Sequence, residues 1–131
     1  MTKKFAVVTG ASGGIGGAVV RLLHEAEYTV ETPARRFLDL QYPEQARSFG
    51  AMMARKHPVV SALVLCAGEW FSAPLTAHSW KHYHKQYTVN VVSNFELIRG
   101  LAESLRNAGG SVVLVASTRG LIGGVESAPL S

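Results

Sequence analysis

The chain has 131 residues, 47% of them hydrophobic, which suits one domain with a real core, and it holds no run of 18 apolar residues that could span a membrane. Its net charge of +4 comes from 13 lysines and arginines scattered along the sequence, not gathered into a basic stripe, which argues against a nucleic-acid surface. The single cysteine, Cys66, excludes an intrachain disulfide framework, and the four apolar residues after Met1–Lys4 are too few for a secretory leader, so a cytoplasmic protein is expected.

Strands and helices alternate along the chain, which predicts a single α/β domain over residues 1–131 with a parallel sheet and crossover helices. The first strand is read at Lys4–Val8. A helix follows over Gly13–Ala26, with Ile15, Val19, Leu22, Leu23 and Ala26 on one face. A second strand at Thr29–Thr32 is stopped by Pro33, and a very short third one is expected at Phe37–Asp39. The next helix, Pro43–Arg55, opens with proline and glutamate, as helix starts do, and carries Ala46, Phe49 and Met53 on its apolar face. The fourth strand, Val59–Leu65, is nearly all apolar, as a strand covered on both faces should be. A long helix over Ser79–Arg106 places Val91, Phe95, Ile98, Ala102 and Leu105 on one expected buried face, and Asn107–Gly110 ends it. The fifth strand is Ser111–Ala116, and the tail from Thr118 to Ser131 is assigned no element.

The chemistry begins at Thr9-Gly10-Ala11-Ser12-Gly13-Gly14-Ile15-Gly16, where a strand ends in glycines and turns straight into a helix. Residues without Cβ let the backbone turn sharply and a phosphate approach, and the helix N-terminus offers it unpaired N–H groups and a favourable dipole. The spacing is neither the common dinucleotide fingerprint nor a Walker loop. Cys66 reads as a small buried hydrophobe, since no cation near it in sequence would stabilise a thiolate. His78 and His82 lie four apart, but no third ligand stands at metal spacing, so no metal is expected. At the end of the second strand, Ala34 stands where an acidic residue would select NAD, with Arg35 and Arg36 next, and the planar guanidinium suits a phosphate. This predicts NADP over NAD, with Glu31, earlier in the strand, pointing the other way.

Thr9-Gly10-x-x-x-Gly14-x-Gly16 resembles the cofactor loop of the short-chain dehydrogenase/reductase family. The resemblance continues at Cys66-Ala67-Gly68, which keeps half of that family's Asn-Asn-Ala-Gly. It extends to Val89-Asn90-Val91 and to Gly110–Ser117 with Gly120. It implies a Rossmann-type sheet of order 3-2-1-4-5 with helices on both faces, here stopping before the sixth strand, as the N-terminal part of a longer reductase. It also implies NAD(P)-dependent oxidation or reduction of an alcohol/carbonyl pair on a small-molecule substrate. By the same resemblance Gly10, Ser12, Gly14, Ile15, Gly16, Arg35, Arg36, Asp39, Leu40, Ala67 and Gly68 bind the cofactor. Ser117 would hydrogen-bond the reacting oxygen, and Asn90 would help hold a water that relays protons. The family's tyrosine, followed four residues on by lysine, has no counterpart: Thr32, Ala46, Tyr87 and Val91 follow Tyr28, Tyr42, Tyr83 and Tyr87. A non-catalytic dinucleotide-binding sensor or regulatory module is therefore the alternative. The bare apolar fifth strand and the face of the long helix that carries Leu97 and Leu101 lead us to expect self-association as a homo-oligomer.

Overall fold

The computed structural model of the chain describes residues 3–121. Strand β1 (Phe5–Thr9) runs through the glycine turn into helix α1 (Gly14–Glu25). Strand β2 (Thr29–Glu31), helix α2 (Pro43–Lys56) and strand β3 (Ala62–Leu65) follow, then helix α3 (Trp80–Tyr87). A π-helical turn at Thr88–Val92 leads into helix α4 (Ser93–Ala108) and strand β4 (Ser111–Leu114). All strand pairs are parallel, in the order β2-β1-β3-β4.

The sequence reading expected another strand outside β2, at Phe37–Asp39, and the order 3-2-1-4-5; among the described residues that strand does not form. The segment is a turn in which the N–H groups of Phe37 and Leu38 both donate to the Ala34 carbonyl, at 2.8 and 3.1 Å. The Asp39 N–H donates to Gln45 Oε1 and its carboxylate accepts from the Gln41 N–H, so local bonds take the groups a strand would have paired. The remaining strands stand in the expected sequence.

One face of the sheet is well covered. Val7, Leu63 and Leu65 meet Phe49 and Met53 of α2 and Leu97, Leu101 and Leu105 of α4 in one buried cluster. The two helices touch backbone to backbone where they cross: a Cβ on Gly100 would lie 2.9 Å from the Gly50 Cα, so only glycine fits there. Arg47 of α2 and Arg99 both bond the Glu96 carboxylate, tying the outer edge of the same contact.

The helix expected over Ser79–Arg106 is interrupted by the π-helical turn, and the buried face differs from the expected one. Ser93, Leu97, Leu101, Ser104 and Leu105 face inward, while Phe95 is 59% exposed and Val91 is exposed too. A π turn inserts one residue and rotates everything after it about the helix axis. The glycine crossing then fixes which side meets α2. On the other face of the sheet α1 lies over β1 and β2, where Ala6 and Val8 are fully buried, but Ile15 and Leu22, expected inward, are exposed. Strand β4 is the far edge of the described sheet and every residue of it is exposed. Thr118–Gly120, read as irregular, form a short 3-10 turn, and the rest of that tail, residues 122–131, lies outside the described residues. No helix among the described residues is long and apolar enough to cross a membrane.

Candidate functional site

The glycine turn lies at the carboxyl end of β1, and its geometry separates the glycines by task. Gly10 has φ +69°, and a Cβ there would sit 2.6 Å from the Ala67 nitrogen, so the turn and the loop after β3 pack against each other only without a side chain. A Cβ on Gly16 would fall 2.1 Å from the Gly10 carbonyl oxygen. Gly16 is thus needed to seat α1 against its own entry loop. Gly14 has no heavy atom within 4 Å of such a Cβ and opens onto free space. Gly13, the residue before α1, makes no side-chain cap, and no acid stands in the first turn. The first-turn N–H groups therefore face outward with the positive end of the helix dipole, a donor set that fits a phosphate.

A cleft of about 680 Å³ opens beside this turn, at the carboxyl ends of β1, β2 and β3. Gly10 and Ser12 line it on one side; Arg35, Asp39 and Leu40 line it on the second; Ala67 and Gly68 on the third. The Arg35 Nε lies 3.4 Å from Asp39 Oδ2, and the arginine side chain is otherwise largely in solvent. Asp39 is itself fixed by its bonds to Gln45 and Gln41, so it anchors the guanidinium at the cleft's edge. Leu40 is buried, with its carbonyl accepting from Ser93 Oγ at 2.7 Å. Two predicted cofactor residues, Ile15 and Arg36, are not brought to the cleft wall: Ile15 points outward on α1, and Arg36 lies over the Phe37 ring at 4.8 Å. Gly14 and Gly16 also lie off the wall, although their amides belong to the open helix end.

A second cleft of about 600 Å³ shares the Cys66–Glu69 wall with the first and continues it past β3 towards β4. Asn90 and Ser117, the two predicted catalytic residues, both line it. Ser117 Oγ accepts from the Arg119 N–H at 3.1 Å, which orients the hydroxyl at the start of the last described turn. The Asn90 side chain reaches across to the loop after β3. Its Nδ2 donates to the Glu69 carbonyl at 3.0 Å and its Oδ1 accepts from the Glu69 N–H at 2.8 Å. This two-way clasp pins the loop after β3. Cys66 sits at the junction of the two clefts, and burial pushes its thiol pKa up, which keeps it protonated.

Several wall residues were not singled out from the sequence. Thr9 Oγ1 accepts from the Ala67 N–H, bridging β1 to the loop after β3. Glu69 lines both clefts and pairs with Lys85 at 2.8 Å. Asn94, one helical turn beyond Asn90, lines the second cleft, and that spacing was the signal that could have found it. No tyrosine lines either cleft among the described residues. His78 and His82 pack around Phe71, at ring-centroid distances of 5.1 and 4.0 Å.

No family model matches the chain. Over 92% of its length the chain is 30% identical to the NADPH-dependent 1-acyldihydroxyacetone phosphate reductase of Saccharomyces cerevisiae, and it spans 48% of that relative, about half its length. Among solved structures, an oxidoreductase of the short-chain dehydrogenase/reductase family from Brucella ovis, in complex with a partially ordered NAD, matches with a TM-score of 0.87 and 28% identity. That match covers 96% of this chain and 68% of the other. A second Brucella ovis oxidoreductase of the same family matches at 30% identity and a TM-score of 0.85, over 93% of this chain and 65% of the other. By these likenesses the chain belongs to the short-chain dehydrogenase/reductase family.

Proposed function

We propose that the chain forms the NADP-binding part of an oxidoreductase that interconverts an alcohol and a carbonyl. The observation that carries this reading is the pair of joined clefts at the carboxyl ends of the strands, with an arginine at one end and Ser117 at the other. The adenosine end of the cofactor would lie in the first cleft, between Asp39, Leu40 and Ala67. Its pyrophosphate would rest on the N–H groups at Gly14–Gly16, and a 2′-phosphate would take the outer guanidinium nitrogens of Arg35, since Nε is committed to Asp39. Arg36, stacked on Phe37, assists only through its charge. The yeast relative's NADPH dependence supports this choice.

When bound, the nicotinamide supplies or accepts the hydride. The chain's own residues orient and polarise. Ser117 Oγ, its lone pair engaged by the Arg119 N–H, keeps its proton to donate to the reacting oxygen, stabilising charge that develops there. The clasp of Asn90 on Glu69 holds the shared wall of the two clefts rigid. The tyrosine–lysine pair that moves the alcohol proton in the family is absent from this sequence. A second reading is a module that binds the dinucleotide without turning it over.

Fluorescence titration of the full chain with NADPH and NADH tests the cofactor assignment. NADPH is expected to bind more tightly, and Arg35→Ala to weaken NADPH more than NADH by about 1–3 kcal/mol, the value of a lost charge-assisted bond. Equal or tighter binding of NADH by the unaltered chain overturns it. Turnover with a panel of carbonyl compounds then separates the enzyme from the binding module.

A further inference from the structure

We propose that Trp70 is a specificity-determining residue of the second cleft, where its indole covers a bulky apolar group on the alcohol or carbonyl compound bound beside Ser117. Trp70 lines that cleft and is 60% exposed. Its direction follows from its neighbours. Glu69 pairs with Lys85 at 2.8 Å, and the Phe71 ring stacks on His82 at 4.0 Å, so the residues on either side of Trp70 both reach α3. The segment is not helical, and where side chains i and i+2 share a side, the one between them takes the other. The indole is thus turned away from α3, onto the cleft that its residue lines. Leu114 faces the same space. It is the register partner of Leu65, which lies in the core cluster with residues of α2 and α4. Partners in a parallel ladder point to one side of the sheet, so Leu114 points to the side of α4, next to the turn that carries Asn90.

The two joined clefts differ in kind. The first is walled by Ser12, Arg35 and Asp39 besides glycine backbone, groups suited to a charged cofactor. In the second, Trp70, Leu114 and Ala116 gather apolar surface close to the Ser117 hydroxyl. The charge of Glu69 on the shared wall is met by Lys85. Small-molecule sites have this make-up, apolar and aromatic walls with a few polar groups that fix orientation. The flat face of an indole gains by being covered with apolar surface and offers no hydrogen bond to a polyol. The substrate class is therefore secondary alcohols and ketones in which one substituent is a ring or a branched alkyl group. This deepens the proposed oxidoreductase function and rests on that reading for the word substrate, but the apolar site itself does not. Arg119 lines the same cleft, so small anionic hydroxy acids are the competing class that the test includes.

Two measurements on the full chain decide it. The chain has two tryptophans, and Trp80 stands on α3 outside both clefts, so Trp80→Phe leaves Trp70 as the sole reporter. In the first measurement its emission is followed on titration with 1-cyclohexylethanol, propane-1,2-diol and lactate, with and without NADP. In the second, saturation-transfer NMR gives the affinities of the same three compounds for the unaltered chain and for Trp70→Ala. 1-Cyclohexylethanol is expected to move the Trp70 emission to shorter wavelength in a saturable way. It should bind the unaltered chain roughly tenfold or more tightly than the diol or lactate, and that preference should fall to about threefold or less in Trp70→Ala. Equal affinities, or no saturable response, overturn the proposal, as does a preference that survives in Trp70→Ala. Tighter binding of lactate assigns the cleft to anions and overturns it too. A shift that follows protein concentration alone, with no response to any of the three compounds, assigns the indole to a contact between copies and has the same consequence. The emission arm needs no change at Trp70, and the NMR arm needs none at Trp80. NADP binding is scored separately, so its failure removes the cofactor reading while both arms still report on the apolar site.

Discussion

Replacing Gly14 and Gly16 one at a time by alanine should divide a binding effect from a folding effect within a single turn. At Gly16 the new Cβ would be placed 2.1 Å from the Gly10 carbonyl oxygen, 2.6 Å from its carbon and 3.0 Å from the Ala11 nitrogen. All three are backbone atoms, which cannot swing aside as a side chain does. The helix must lift off its loop, and overpacking of this kind costs about 1–3 kcal/mol, occasionally more. At Gly14 the Cβ meets nothing within 4 Å, and exchanging glycine for alanine in a helix gains up to about 1 kcal/mol, less in the first turn. Gly14→Ala should therefore unfold at an equal or higher urea midpoint yet bind NADPH more weakly, because the methyl occupies the space into which the phosphate descends. Gly16→Ala should unfold at a clearly lower midpoint. Circular dichroism through a urea series gives the stabilities, and fluorescence titration the affinities. An unchanged midpoint for Gly16→Ala would refute the packing argument. Unchanged NADPH affinity in Gly14→Ala would show that the phosphate does not approach at that residue.

Asn90→Ala removes both bonds to Glu69 and should destabilise the fold by about 1–3 kcal/mol, with faster amide exchange at Glu69; a loop as protected as before would show the clasp to be incidental. Acid should weaken the protein in two stages. Burial, with Lys56 beside it, holds the His57 imidazole below its usual value, so the unfolded chain binds that proton more readily. That contribution is complete above the usual imidazole pKa and is lost as pH falls through the lowered folded value. Hydrogen bonds from Arg99 and Arg47 hold the Glu96 carboxyl below the usual carboxylate range, so its contribution is complete above that range and is lost as pH falls through the folded value. Urea midpoints should fall on acidification in both windows, and Glu96→Gln should flatten only the lower one; midpoints that hold or rise contradict the reasoning. Light scattering across a concentration series should show self-association through β4, where Val113 is 48% exposed and Leu114 more so; a monomer at every concentration removes that expectation.

Local pattern determined much of this protein. The alternation of apolar runs with helical periodicity was enough to set β1, α1, α2 and β3 within a few residues and to make the sheet parallel. The glycine turn was legible because backbone chemistry alone, a turn without Cβ opening a helix, suits it to an anion. Arg35, Asp39, Ala67 and Ser117, scattered over more than eighty positions, line two joined clefts because parallel strands deliver their carboxyl ends to the same edge.

Tertiary structure decided what depends on contacts between distant residues. Whether Phe37–Asp39 pairs as a strand turned on bonds from Gln41 and Gln45, which no propensity reveals. Periodicity offered two apolar stripes on the long helix, and the π turn with the Gly50–Gly100 crossing chose the one with Leu97 and Leu101 over the one with Phe95. The tasks of Gly14 and Gly16 look alike in sequence and differ only because one faces open space and the other the Gly10 carbonyl. Asn90 was visible as a polar residue in an apolar helix, but its commitment to Glu69 follows from where a loop twenty-one residues away is folded back. A side chain's chemistry is written in the sequence; which of its atoms remain to be used is settled by its neighbours in space.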